Sequence, residues 1–221
     1  MSNSAKKTVL ENPPAKVEDT EKMLLERLHS AANDDDHFRW LLFVVGYYRG
    51  AQRSDTAKAL LQRFLGETKS SEYKVHCHLG LGQIATDEKD FETALNHFNG
   101  ALSLKPATKK LEYVLLNNVG YCLNMLGRFA EGEHHCRKAL EVDCMRPSAY
   151  RNLGVSLHGN GNVVAAAWAL VEAAKADPSD DRARGILQNL LSMNPELVVT
   201  NPWIIDGLDP SPAKPSETAL V

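Results

Sequence analysis

The sequence has few of the features that mark secreted, membrane-spanning or aromatic-rich proteins. Aromatic residues make up only 7% of the 221 residues, and the four cysteines lie in a chain with no secretory pattern. We therefore expect reduced cysteines that serve in packing. The apolar runs at residues 40–45 and 163–171 are far shorter than the roughly 20 residues that a transmembrane helix needs. The sequence thus predicts no membrane insertion.

A concentrated positive charge is also missing. The formal net charge is -3 and the pI is about 6.2, whereas duplex nucleic acid and anionic membranes are bound through basic surfaces. We expect no nucleic-acid partner. Residues 1–14 contain two lysines but no apolar segment before a small-residue cleavage site. A signal peptide is therefore not expected, and the sequence favours a cytoplasmic location.

Motifs for catalysis and metal binding are scarce. We find no nucleophile motif, phosphate loop or paired-carboxylate motif. Residues 76–78 (His-Cys-His) and 134–136 (His-His-Cys) contain metal-binding side-chain types. Neighbouring residues on a helix point about 100° apart, however, so such a triplet cannot converge on one ion. We expect no enzyme, no metal site and no cofactor.

A recurring pattern of small residues fills the middle of the chain. The first copy has Leu81-Gly82, Ala94, Phe98, Ala101 and Pro106, and another has Leu153-Gly154, Ala166, Leu170, Ala173 and Pro178 at the same offsets. Between them, the corresponding places hold Val119-Gly120, Gly132, Cys136 and Ala139. A period near 34 residues, with two helices per unit, is typical of a stacked repeat array.

This pattern resembles that of the tetratricopeptide repeat (TPR) family. The best-matching copy holds Tyr150, Leu153-Gly154, Leu157, Gly161, Ala166, Leu170, Ala173 and Pro178. The resemblance implies an all-α fold, a right-handed superhelical solenoid of antiparallel helix pairs with a C-terminal capping helix. It also implies a protein that binds other proteins.

The predicted organisation has five parts. They are a disordered leader (1–18), N-terminal helices with a degenerate repeat (19–70), three repeats within 71–179 (about 75–108, 113–146 and 147–180), a capping helix (180–194) and a proline-rich tail (195–221). Five of the ten prolines lie in the tail, so we expect extended or disordered chain there.

The resemblance also implies a ligand site, because the first helices of such repeats line a concave groove that commonly holds an extended peptide. The corresponding positions are His76, Gln83, Asp87, Asn117, Asn118, Tyr121, Asn124, Arg151, Asn152 and His158. Amides both donate and accept hydrogen bonds, which suits a peptide main chain. Alternatively, Asn118 and Asn152 are present because the family often has asparagine at that offset, whatever it binds.

Some members of the family hold a partner's C-terminal carboxylate with lysines and an arginine. Here Leu79 and Ser148 stand at two of the lysine positions, and Asn152 stands at the arginine position. Binding of that carboxylate type is therefore not expected.

A second surface is predicted on the last repeat. Ala165, Trp168 and Val171 fall at outward offsets where the family usually has charges, and an exposed apolar patch usually needs a cover. The tail, with Trp203, could provide the cover, or a second copy could do so in a homodimer. A third interpretation packs Trp168 against the capping helix.

The function predicted from these features is a non-enzymatic interaction module, an adaptor, scaffold or assembly factor with a protein or peptide partner. One alternative is a dedicated chaperone for a secretion or assembly substrate, since bacterial secretion chaperones have similar helical repeats. The other is a regulatory subunit of an enzyme complex.

Overall fold

The computed structural model describes residues 15–208, with side chains from residue 19 onward. This part of the chain is helical and contains no β-strand. Its helices are α1 (Ala15–His29), α2 (Asp34–Gly50), α3 (Ser54–Glu67), α4 (Ser71–Asp87), α5 (Phe91–Ser103), α6 (Lys109–Met125), α7 (Phe129–Val142), α8 (Pro147–Gly159), α9 (Val163–Ala176), α10 (Asp181–Met193) and α11 (Glu196–Thr200), followed by a terminal 3₁₀ helix (Pro202–Gly207). The all-α prediction is confirmed, and none of the described helices is both long and apolar enough to span a membrane.

Of the described residues, 15–67 form a first unit, built from α1 to α3. Its buried side chains include Leu24, Leu41 and Leu61. The Glu21 carboxylate on α1 accepts hydrogen bonds of 2.8 Å from the Tyr48 hydroxyl on α2 and from the Arg53 guanidinium that follows α2. These bonds hold α1 against α2.

The helix α1 begins at Ala15, so the prediction that residues 1–18 form a disordered leader is wrong for residues 15–18. These four residues, Ala-Lys-Val-Glu, contain no helix breaker and directly follow two prolines, which are compatible with a helix start. Residues 1–14 lie outside the described part, and the rest of that prediction is unchanged.

The described residues from 68 to 208 form a second unit, in which α4–α5, α6–α7 and α8–α9 are consecutive helix pairs. Each pair touches at the glycine of its Leu-Gly or Val-Gly signature. A Cβ atom added at Gly82 would lie 2.5 Å from Phe98 Cε1, one at Gly120 would lie 2.5 Å from Cys136 Sγ, and one at Gly154 would lie 2.7 Å from Leu170 Cγ. The repeated glycines therefore allow the two helices of each pair to approach closely.

The turns inside the pairs are short and have specific backbone demands. Gly127 and Gly161 follow α6 and α8 with φ values of 73° and 80°, a region that glycine enters without steric cost. In the turns before α5 and α9, the side chains of Asp90 and Asn162 cap the next helix. They accept hydrogen bonds from the backbone N–H groups of Thr93 and Ala165 respectively. Tight turns of this kind make the helices of a pair antiparallel.

The expectation of an extended or disordered tail is wrong for residues 196–207. The helix α11 and the terminal 3₁₀ helix are ordered, and the 3₁₀ helix packs on α9. Ile204 is fully buried there, and Leu197 is 7% exposed. Pro195 and Pro202 stand at helix starts, where proline is tolerated, so they do not prevent this packing. Residues 209–221 lie outside the described part.

Candidate partner-binding groove

The candidate groove residues lie on α4, α6 and α8, the first helices of the three pairs. Hydrogen bonds between side chains show that α6 and α8 lie side by side. The Tyr113 hydroxyl on α6 is 2.8 Å from the Ser148 hydroxyl on α8, and it also accepts a hydrogen bond of 3.2 Å from the Ala149 N–H. The repeats thus bring α6 and α8 together, as the groove prediction requires of neighbouring first helices.

The Asn124 side chain is buried within the protein rather than open to a binding partner. Its side chain is only 7% exposed. Its Nδ2 donates to the Asn152 carbonyl at 2.8 Å, and its Oδ1 accepts from the Ser156 hydroxyl at 2.6 Å. A Cβ atom at Gly132 would lie 2.5 Å from the same Oδ1. Asn124 therefore joins α6 to α8 inside the protein.

Asn152 and Asn117 extend this connection along the helices. Asn152 is 6% exposed, and its Nδ2 donates to Asn117 Oδ1 at 3.0 Å. Together with Asn124 they form what we call the asparagine ladder: Asn117, Asn124 and Asn152. The amides of the ladder form hydrogen bonds with one another, with a hydroxyl and with the backbone. Fewer of their donors and acceptors are therefore available to a peptide than the sequence alone predicts.

Arg151 is also engaged within the protein. Its Nη1 donates to Asp180 Oδ2 at 2.7 Å, and the two side chains are 14% and 10% exposed. Asp180 also caps α10, since it accepts from the Arg182 N–H at 3.0 Å. The pKa of Asp180 is lowered to about 2, mainly by the hydrogen bond from the Arg182 side chain. The positive charge of Arg151 is a smaller cause. Arg151 therefore ties α8 to the capping helix.

The other predicted positions remain closer to solvent. Asn118 and Tyr121 on α6 are half-buried, and the Tyr121 ring packs edge-on against Phe91 at 6.1 Å. On α4, His76 and Gln83 are half-buried and Asp87 is exposed, while His158 is exposed at the end of α8. The groove positions thus combine polar groups with an aromatic ring.

One accessible residue of this region, Met125, is not among the predicted groove positions. Met125 ends α6 and is 51% exposed. It lies four residues after Tyr121, and residues at that spacing share one face of a helix. The spacing could have identified it, and a methionine is an adaptable apolar contact.

The described residues contain no arrangement that points to catalysis. All four cysteines are free, and Cys77, Cys122 and Cys136 are buried. Burial raises the pKa of Cys77 and Cys122 to about 11 and that of Cys136 to about 12. Such thiols are poor nucleophiles at neutral pH. No group of three or more His, Cys, Asp or Glu side chains converges within the described range.

The second predicted surface is only partly covered. Val171 is 1% exposed, and the terminal 3₁₀ helix lies on it, since a Cβ atom at Gly207 would be 2.7 Å from Val171 Cγ2. Ala165 and Trp203 are half-buried against the same core. Trp168 is 43% exposed, and its ring packs edge-on against Tyr150 at 5.9 Å. The tail thus covers Val171 but not Trp168, and a homodimer through this face stays a prediction.

Comparisons with known proteins agree with the repeat pattern. Residues 125–181 match the model of the tetratricopeptide repeat family. A TPR repeat-containing protein of Arabidopsis thaliana is 30% identical over 127 residues, which cover 54% of this chain and 15% of the relative. The Hsp70-Hsp90 organising protein of Plasmodium falciparum is 26% identical over 114 residues, which cover 52% of this chain and 44% of the relative. The matched part is therefore less than half of each of these relatives.

Solved structures show the same fold. The TPR protein YrrB, described as having an unusual peptide-binding site, superposes with a TM-score of 0.58 at 17% identity, over 89% of this chain and 94% of that one. Likeness at this identity establishes the fold alone. The family match lies within residues 125–181, and the helix pairs with their glycine contacts extend the same architecture over α4 to α9, so this part of the chain has the tetratricopeptide repeat fold.

Proposed function

We propose that this chain is a non-enzymatic interaction module, an adaptor, scaffold or assembly factor, that holds a segment of a partner protein along α4, α6 and α8. The observation that carries the proposal is the set of side chains left accessible on α6 once the asparagine ladder is formed. Asn118, Tyr121 and Met125 give this helix an amide, an aromatic ring and a flexible apolar side chain. Extended concave surfaces of stacked repeats are the usual place for binding.

The chemistry of the positions favours a partner segment that is not held by its terminal carboxylate. Leu79, Ser148 and Asn152 are uncharged at positions where carboxylate-binding members have cations. Arg151, a cation on the same face, is paired with Asp180. We therefore propose a segment recognised through its main chain and through apolar side chains that meet Tyr121 and Met125. We also propose that the protein acts in the cytoplasm.

Similarity to other proteins supports an interaction role without naming the partner. One relative is called an organising protein of Hsp70 and Hsp90, and one structure is described by its peptide-binding site. These descriptions belong to those proteins. Nothing observed here favours the secretion chaperone or the enzyme regulator over the general adaptor.

Site-specific photo-cross-linking in cells tests the proposal. A photoreactive amino acid is placed at Asn118 or Met125 on α6 and, as a matched control, at the exposed Asn96 or Asn99 on α5. We expect the α6 positions to cross-link the same partner, identified by mass spectrometry, and the α5 positions not to. Cross-links that form at α5 alone, or equally at both helices, would contradict the proposed groove.

A further inference from the structure

Two histidines meet between the helices of the first pair in the second unit. His78 on α4 and His97 on α5 have their Nδ1 atoms 3.1 Å apart, and their ring centroids are 5.4 Å apart with an angle of 47° between the rings. Neither residue belongs to the candidate groove. We call them the histidine pair.

From this geometry we propose that His78 and His97 together bind a divalent late transition-metal ion such as Zn²⁺, Ni²⁺ or Cu²⁺ through their Nδ1 atoms. Imidazole nitrogen is a preferred ligand of these ions. With metal–nitrogen bonds of about 2.0–2.1 Å, two nitrogens 3.1 Å apart subtend an angle of about 98° at the ion. This angle lies between the octahedral and the tetrahedral values, so small rotations of the two rings suffice.

The surroundings keep both rings able to coordinate an ion. Both are half-buried, and burial lowers the pKa of each; the charge of His97 and of Lys74 lowers that of His78 further. The rings are therefore mostly neutral at pH 7. The two Nδ1 atoms share a hydrogen bond, so binding an ion through both of them requires the donor ring to carry its proton on Nε2 instead, after which each Nδ1 offers a lone pair. A Cβ atom at Gly100 would lie 3.3 Å from His78 Cε1, so the glycine leaves room beside this ring.

The same surroundings limit the strength of the site. The protein supplies two ligands, and solvent completes the coordination. Lys74 acts on His78 from the preceding turn of α4 and repels a cation. We therefore expect a dissociation constant in the micromolar range rather than the tight binding of a site with four protein ligands.

This site differs from the triplets considered in the sequence. Within residues 76–78, Cys77 is fully buried and only His78 meets a histidine of another helix. The second ligand lies 19 positions further along the chain. A bound ion would cross-link α4 to α5, so metal binding should stabilise this helix pair. The inference does not depend on the proposed partner groove.

Calorimetric titration of the chelator-treated full chain with Zn²⁺ at pH 7.5 tests the site. We expect binding at this site and a rise in Tm of a few degrees at a free Zn²⁺ concentration about 100 times the Kd. His97→Gln removes one of the two ligands, so binding should weaken about tenfold or more and the rise in Tm should disappear. The control His29→Gln changes an exposed histidine on α1, outside the groove, and should leave both the Zn²⁺ binding and the rise in Tm unchanged.

Nuclear magnetic resonance of the ¹⁵N-labelled wild-type imidazoles gives a second readout that needs no variant. Zn²⁺ should shift the Nδ1 resonances of both His78 and His97, and the shifts should vanish at pH 5, where protons compete for the nitrogens. The proposal is overturned if Zn²⁺ leaves these resonances unchanged. It is also overturned if the wild type and His97→Gln, with equal helical circular dichroism, bind Zn²⁺ equally.

Discussion

The asparagine ladder shows how side chains at groove positions can serve the fold. Asn124 is buried with both ends of its amide bonded, to the Asn152 carbonyl and to the Ser156 hydroxyl. Asn118, on the same helix, is half-buried, and its amide makes no hydrogen bond with another described residue. The two asparagines therefore differ in their contribution to stability.

We expect Asn124→Ala to lower the free energy of unfolding by about 1–3 kcal/mol, because Ser156 and the Asn152 carbonyl lose buried hydrogen-bond partners. Asn118→Ala should change it by less than about 0.5 kcal/mol. Urea denaturation followed by circular dichroism measures both variants. Similar losses in the two would contradict a structural role specific to Asn124.

The glycines of the repeat signature offer a second residue-scale test. Gly82→Ala would place a methyl group 2.5 Å from Phe98 Cε1, so we expect a loss of about 1–3 kcal/mol through overpacking. Gly185 lies inside α10 with nothing within 4 Å of an added Cβ atom. Gly185→Ala should therefore stabilise the protein by about 0.5–1 kcal/mol. Thermal melting of the two variants measures both effects. A higher Tm for Gly82→Ala than for the wild type would contradict the close contact between α4 and α5 at Gly82.

At this scale, local patterns predict packing better than they predict partners. The recurring offsets identify Gly82, Gly120 and Gly154 as contact points because the same steric demand returns in every repeat. The bond between Asn152 and Asn117 joins residues 35 positions apart, and the contact between His78 and His97 joins residues 19 positions apart. Such pairs cannot be predicted from the spacing of residues within one helix.

Among the elements, the terminal 3₁₀ helix departs most from expectation. Its prolines suggested extended chain, yet Ile204 is fully buried while the adjacent Ile205 is 53% exposed. The alternation between buried and exposed apolar residues in the tail depends on how the 3₁₀ helix packs on α9. That orientation is a tertiary property.

These two isoleucines make a matched pair of variants. Ile204→Ala should lower the free energy of unfolding by about 2–5 kcal/mol because it leaves a cavity between the 3₁₀ helix and α9. Ile205→Ala should have an effect below about 0.5 kcal/mol, as for other exposed sites. Chemical denaturation gives both values. If Ile204→Ala were as mild as Ile205→Ala, the tail would not be docked on α9.

The capping helix is held by a specific contact as well as by its apolar face. Leu187 and Leu190 of the predicted capping helix are buried. The ion pair between Arg151 and Asp180 was not predicted, because Arg151 was assigned to the ligand. A nearly buried charge with a partner across two helices is a structural feature that sequence spacing does not reveal.

For the molecule as a whole, three half-buried histidines predict how the free energy of unfolding depends on pH. Burial lowers the pKa of His78, His97 and His135 in the folded protein. The unfolded chain therefore binds more protons just below its ordinary histidine pKa of about 6.5. Stability is fully present above that pH and falls as the pH drops from there towards the lowered pKa values.

We expect the free energy of unfolding, measured with urea in the presence of a chelator, to be lower at pH 5 than at pH 7.5. His97→Gln should reduce this difference, since it removes one of the titrating rings. Asp180 does not interfere: its pKa is lowered to about 2, so its contribution is lost only below its ordinary value near 4. A free energy of unfolding that is equal at pH 5 and pH 7.5 would contradict the lowered pKa values of these half-buried histidines.

The fold class of the molecule could be predicted because it depends on a repeated local pattern. The binding face stays a proposal, and the sequence locates it only as a region. The positions on α4, α6 and α8 follow from the period. Contacts between repeats determine which of these side chains are available to a partner. Asn124, Asn152 and Arg151 are engaged in such contacts within the protein. Tyr121 and Met125 emerge as the accessible apolar part of the region.

Methyl spectroscopy of ¹³C-methionine-labelled protein tests the central claim, that a partner segment lies along the first helices, most directly. Met125 on α6 is 51% exposed, and the control Met145, in the turn before α8, is 80% exposed. If a partner segment lies along the first helices, adding the partner identified by cross-linking should shift or broaden the Met125 methyl resonance. The Met145 resonance should stay in place. An unchanged Met125 resonance, with the shift at Met145 instead, would contradict that claim.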